Sequence, residues 1–256
     1  MKALITSGCS VSDVRLDNSE LRTWPIWLEN KLQPEYTVHS GLRCTGNDLI
    51  ARKAIYQCTQ ALQQYNGEDI LLVCAYSTLN RTSILLDSED AVAKLLLQQG
   101  NTDDLRHLFA YQGSNYDVER VEKNQHPAWY YFNLWKEHEF SNYYALYQSS
   151  HNLLHDYLWN MFAVENFCKV NRINYVWLNI DDTLTTQSTH NMLDHWSMEY
   201  LRQTLAYQHR ITTPIATSVF EHDAALMFDE LHPNTQGHRW YTKNILIPFL
   251  QEHEFI

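Results

Sequence analysis

"DILLVCAYS", Asp69 to Ser77, is the stretch on which the reading of the chain turns. A run this short and this uniformly apolar offers no polar face to water. It reads as a strand covered on both sides, which is how strands look in a parallel sheet. Working outward, "INYVWLNI" (Ile173 to Ile180) has the same character, and "KALITSG" (Lys2 to Gly8) is an apolar run cut off by glycine. "YTVHSG" (Tyr36 to Gly41) is a further strand candidate. The segments between them have helical character. "TWPIWLENKLQ" is amphipathic, and "NDLIARKAIYQCTQALQQY" repeats apolar residues every three or four positions, with Asn47 or Asp48 near its cap. "YALYQSSHNLLHDYLWNMFAVENFCKV" is a long helical stretch, and "QGHRWYTKNILIPFLQEH" closes the chain as a helix. Strands alternating with helices predict an α/β protein in three layers, with a parallel sheet between helices.

Seven glycines and six prolines in 256 residues, with no linker-like stretch, predict one domain over 1–256. Between the third and fourth strands, about residues 82–165 exceed what one crossover helix needs and read as an insertion. Its segment "HPAWYYFNLWKEHEFSNYYALY" (His126 to Tyr147) is crowded with Trp, Tyr and Phe. That composition suits the core of a helical subdomain or a surface that stacks on sugars. The net charge of -11 and the scattered histidines give no basic stripe for a phosphate backbone, which argues against nucleic acid as a partner. No apolar stretch reaches the roughly 20 residues that span a bilayer, and the apolar run at the N-terminus is too short for a signal-peptide core. A cytoplasmic location with no membrane partner is the expectation. Five cysteines (Cys9, Cys44, Cys58, Cys74 and Cys168), widely spaced and without a C-x-x-C, read as reduced and mostly buried thiols.

Ligands of parallel sheets gather at the carboxyl ends of the strands. Gly8-Cys9-Ser10 occupies that end of the first strand. The second stretch of interest is "FDELHPNTQGHRWY", Phe228 to Tyr241, on the loop before the closing helix. Its three-residue offset lets Asp229 and His232 meet across one turn, while Ser10 has to arrive through the fold. A serine hydroxyl becomes an effective nucleophile when a base takes its proton, and a carboxylate fixes the tautomer of that base. Cys9, beside Ser10, is the alternative nucleophile. Arg81, which closes the third-strand segment, is suited to a substrate carboxylate or to a nearby acid. His232 and His238 have no third ligand at metal-binding spacing, so neither a metal nor a cofactor is expected.

"SGCS" (Ser7 to Ser10) near the N-terminus and "DELHPNTQGH" (Asp229 to His238) before the last helix resemble, in that chain order, the SGNH/GDSL hydrolase family. The resemblance implies a flavodoxin-like sheet, with Ser10 as nucleophile, His232 as base and Asp229 as the residue that orients it. It also implies an oxyanion hole made from the Ser10 N–H, a glycine after the second strand and an asparagine after the third. Gly41 and Gly46 are both placed for the glycine, and Gly46 is favoured. Where the family has Gly-x-Asn-Asp, this chain reads "AYSTLNR", leaving Ser77, Thr78 and Asn80 as donors, or Asn47 from the "GND" after the second strand. Gly-Cys-Ser replaces the family's Gly-Asp-Ser. The implied activity is ester hydrolysis through an acyl-enzyme, with an O-acetyl ester on a carbohydrate as substrate. The altered third motif keeps a second expectation open, a catalytically inactive binding or assembly protein on the same fold.

Overall fold

A computed structural model describes residues 1–14, 22–42, 45–79, 81–86, 128–133, 150–182, 184, 192–193, 196–201 and 208–256. The apolar runs are strands: β1 (Ala3–Gly8), β2 (Tyr36–His39), β3 (Ile70–Tyr76) and β6 (Asn174–Asn179). They join a two-residue strand β7 (Arg210–Ile211) in one sheet of order β2-β1-β3-β6-β7, and every pairing is parallel. β1 and β3 are buried at every residue, as continuous apolar runs require. β7 is too short to leave a periodic signal in the sequence.

The insertion is described only in parts, and its last residues, 150–165, are helical. Its other described part is an antiparallel pair, β4 (Arg81–Leu86) with β5 (Ala128–Asn133), in register from Arg81↔Asn133 to Leu86↔Ala128. The run "AWYYFN" is rich in the aromatic residues that favour a pleated surface, and here that preference outweighs helical spacing. The rest of the aromatic stretch, residues 134–147, lies outside the described residues. With this pair set aside, the central sheet has the strand order 2-1-3-4-5 of a doubly wound flavodoxin-like sheet.

Helices α1 (Trp24–Leu32), α2 (Asn47–Ala61) and α3 (Ser150–Asn171) connect the strands. α4 (Ile215–His222), α5 (Thr235–Tyr241), a π turn (Thr242–Leu246) and α6 (Ile247–Glu252) complete the chain. The crossovers β1-α1-β2 and β2-α2-β3 run in opposite directions along the sheet, so right-handedness puts α1 and α2 on opposite faces. α3 packs on α2, while α4 and α5 pack on each other and α5 on α1, which gives a helical layer on each side. Among the described residues no helix is long and apolar enough to cross a membrane.

Candidate active site

Past the last ladder pair, Gly8↔Ala75, the chain leaves β1 in a single 3₁₀ turn, Ser10–Ser12. Two glycines make this turn possible. A Cβ on Gly8 would lie 2.2 Å from Ser12 Oγ, and one on Gly41 would lie 2.1 Å from the Ser12 carbonyl oxygen. The turn is held from outside as well. The Gly8 carbonyl accepts the Leu42 N–H at 3.0 Å, and Ser12 Oγ accepts Trp24 Nε1–H at 3.0 Å. Ser10 therefore stands at the carboxyl edge of the sheet on a backbone with little freedom.

The second arm is the loop between α4 and α5. Phe228 N–H donates to the His232 carbonyl at 2.8 Å, and Asn234 N–H to the Leu226 carbonyl at 2.8 Å, closing a small hairpin around Asp229–Leu231. Asn234 also caps α5: its Oδ1 accepts the N–H groups of Gln236 and Gly237, while its Nδ2 donates to the Ala225 carbonyl at 3.0 Å. Gly237 seats α5 against this hairpin, since a Cβ there would come 2.5 Å from the Leu226 carbonyl oxygen. In "HPN" the proline and asparagine thus serve the loop that carries His232.

The two arms meet. Ser10 Oγ lies 2.8 Å from His232 Nε2, and His232 Nδ1 lies 2.9 Å from both carboxylate oxygens of Asp229. A carboxylate only accepts, so the proton of the neutral ring belongs on Nδ1, which leaves Nε2 to accept from Ser10. Asp229 Oδ1 accepts two backbone N–H groups as well, from Leu231 at 2.8 Å and from His232 at 2.9 Å. Partial burial pulls the Asp229 carboxyl up. The Leu231 amide, the His232 imidazole and the His232 amide together outweigh it and hold the group below its ordinary value, ionised at neutral pH.

The candidate oxyanion donors fare differently. Ser10 N–H donates to no described residue. Gly46 is the N-cap of α2. Asn47 departs from the expected donor role. Its Nδ2 donates to the Ser77 and Thr78 carbonyls at 3.3 and 3.1 Å, and its Oδ1 accepts the Ser77 N–H at 2.8 Å. Both amide hydrogens are committed, so Asn47 braces the loop after β3 instead of offering a hydrogen bond to a ligand. The hydroxyls of Ser77 and Thr78 are buried with no partner. Cys9 is fully buried. Asn80 and the Arg81 side chain lie outside the described residues. His238 points into the core, 2% exposed, with Nδ1 unpartnered. Sequence reasoning missed Asn234 as a double clip and Trp24 as a prop of the serine turn. The cap position of Asn234 is a legible signal, whereas the Trp24 contact is purely tertiary.

Protein-family models give no match to this chain, and no curated protein matches it. Among solved structures, a "putative lipolytic protein of G-D-S-L family" from Desulfitobacterium hafniense DCB-2 is similar at 12% identity, over 95% of this chain and 97% of that one, with a TM-score of 0.46. At that level no residue role follows from the likeness.

Proposed function

We propose that the protein is a serine hydrolase of carboxylic esters, acting through Ser10, His232 and Asp229. The observation that carries this reading is the unbroken hydrogen-bonded line from carboxylate to imidazole to hydroxyl, ending at the carboxyl edge of a parallel sheet. In this mechanism Ser10 Oγ attacks the ester carbonyl carbon as its proton passes to His232 Nε2. The tetrahedral oxyanion is held by the N–H groups of Ser10 and Gly46, each worth about 3 kcal/mol of barrier. Collapse expels the alcohol, which takes the proton from His232, and water repeats the sequence on the acyl-enzyme. Asp229 stays ionised and orients the ring throughout. An O-acetyl ester on a carbohydrate is the substrate class we favour, supported by the aromatic residues of the insertion.

A fluorophosphonate probe tests the reading, because only an activated serine reacts quickly. Wild-type protein should label on Ser10, as located by peptide mass spectrometry, and should hydrolyse p-nitrophenyl acetate. Ser10→Ala should lose both while melting within a few degrees of wild type. Absence of labelling, or labelling on another residue, overturns the assignment. A fully inert wild-type protein would favour the alternative, a binding or assembly protein, for which the committed Asn47 side chain is the supporting observation.

A further inference from the structure

α1 and α5 both begin at the site. Trp24, the first residue of α1, donates its Nε1–H to Ser12, two residues beyond Ser10. Thr235, three residues beyond His232 and the first of α5, accepts the Arg22 N–H on its hydroxyl at 3.1 Å. The seam where these helices pack is therefore fixed relative to both the nucleophile and the base. On that seam one indole ring, Trp27, carries two guanidinium groups: Arg22 Cζ lies 6.0 Å and Arg239 Cζ 5.3 Å from its centroid. The ring is pinned by its own Nε1–H, which donates to the Arg22 carbonyl at 3.2 Å.

Both arginines are exposed, and neither takes part in any ion pair of the described residues. With 30 Asp and Glu against 19 Lys and Arg, carboxylates are the surplus partner, yet among the described residues these two neighbouring guanidiniums have none. Cation–π contact offsets only part of the cost of bringing like charges together. It also leaves guanidinium N–H edges available, in the fork geometry that matches an oxyanion.

We infer that the Arg22–Trp27–Arg239 seam is a subsite for an oxyanion group, a carboxylate, phosphate or sulfate, carried by the substrate beyond its ester bond. Calling it a substrate subsite rests on the hydrolase reading above. The anion-binding property does not. The overall charge of -11 repels an anionic substrate at long range, and a local pair of cations on the seam between α1 and α5 offsets that field on this side of the molecule. An ester on an acidic sugar satisfies both this subsite and the proposed chemistry.

The test has two arms, each run on wild type and on Arg22→Gln/Arg239→Gln, whose melting temperatures are compared first. In the first, titration calorimetry follows inorganic phosphate at fixed ionic strength. Wild type should bind it and the double variant should bind it at least roughly fivefold more weakly. In the second, kcat/KM is measured for two matched pairs, 4-acetoxybenzoate with its methyl ester and mono-(4-nitrophenyl) succinate with its methyl ester. For at least one pair the anionic-to-neutral ratio should fall roughly five- to tenfold in the variant, through KM. Phosphate binding that is weak and equal in the two proteins, together with unchanged ratios, overturns the subsite. Phosphate binding lost in the variant with no ester turned over by wild type upholds the anion site and sinks the hydrolase reading instead.

Discussion

Thr6, His39 and Glu29 form a hydroxyl–imidazole–carboxylate line four residues upstream of the one that ends at Ser10. Thr6 Oγ1 lies 2.8 Å from His39 Nδ1, and His39 Nε2 lies 2.9 Å from Glu29 Oε2. By distance and residue type this line matches Asp229–His232–Ser10. Here the carboxylate fixes the proton on Nε2, so Nδ1 accepts from the threonine, the mirror of the arrangement at Ser10. The difference is position on the strand. Thr6 sits inside β1, paired with His39 on one side and Val73 on the other, at 0% exposure. Ser10 lies beyond the last pair of that ladder and keeps 9% exposure on the 3₁₀ turn. A carbonyl carbon can be brought to Ser10 Oγ without opening the sheet, and it cannot be brought to Thr6. A hydrogen-bonded line is thus a way of satisfying polar groups first, and it becomes chemistry only where the strand ends.

Coupling between residues breaks or sharpens this contrast most strongly. Asp229→Asn should lower kcat for p-nitrophenyl acetate by roughly 10² to 10⁴ by favouring the wrong tautomer, and His232→Ala by at least as much. The double variant should resemble His232→Ala alone, because an orienting carboxylate has no purpose without its base. In the Thr6 line, Glu29→Gln should leave kcat within about threefold of wild type, because its partly exposed pair with His39 lies outside the site and contributes roughly 0 to 1 kcal/mol to stability. Losses that multiplied at Asp229 and His232, or a large kcat loss at Glu29, would dissolve the distinction.

Thr6→Val carries the next largest effect, and on stability alone. The substitution keeps the shape and deletes the hydroxyl, leaving His39 Nδ1 without its partner. Urea unfolding should show a loss of about 1 to 3 kcal/mol, while fluorophosphonate labelling of the folded protein proceeds at nearly the wild-type rate. A folded Thr6→Val protein that no longer labels would mean that the buried line feeds the reactive one.

How much of this was legible follows from the range of each interaction. β1, β3 and β6 are visible because burial on both faces forces continuous apolar runs, and Asp229–His232 because a three-residue turn is local. The partners of Asn47 were not legible, because its residue type and its spot beside Gly46 fit a donor, whereas Ser77 and Thr78 come from the loop after β3, distant in sequence. The Thr6–His39–Glu29 line left no motif, since its members are joined only by the β1–β2 register and by the packing of α1. The β4–β5 pair was hidden by aromatic residues that suit strand, helix and surface alike.

A third imidazole shows the state of a histidine that has neither hydroxyl nor carboxylate. His238 is 2% exposed with Nδ1 unpartnered, and burial, aided by the nearby His232, lowers its pKa from 6.5 to about 3. In the unfolded chain the same ring takes up a proton below 6.5, while in the folded protein it stays neutral until about 3. The unfolded state therefore binds more protons throughout that window, and stability falls as pH drops through it, by up to about 1.4 kcal/mol per pH unit. His238→Phe, close in size and without the titrating group, should lose stability more slowly on acidification. Urea unfolding of both proteins at pH 7, 6 and 5 reads the difference as roughly one proton taken up on unfolding. Parallel pH dependences would mean that His238 is protonated in the fold. That state would set a buried cation near His232 and oppose the imidazolium that forms when His232 takes the serine proton. A neutral His238 leaves that step unopposed, so the same titration also reports on the electrostatic setting of the proposed base.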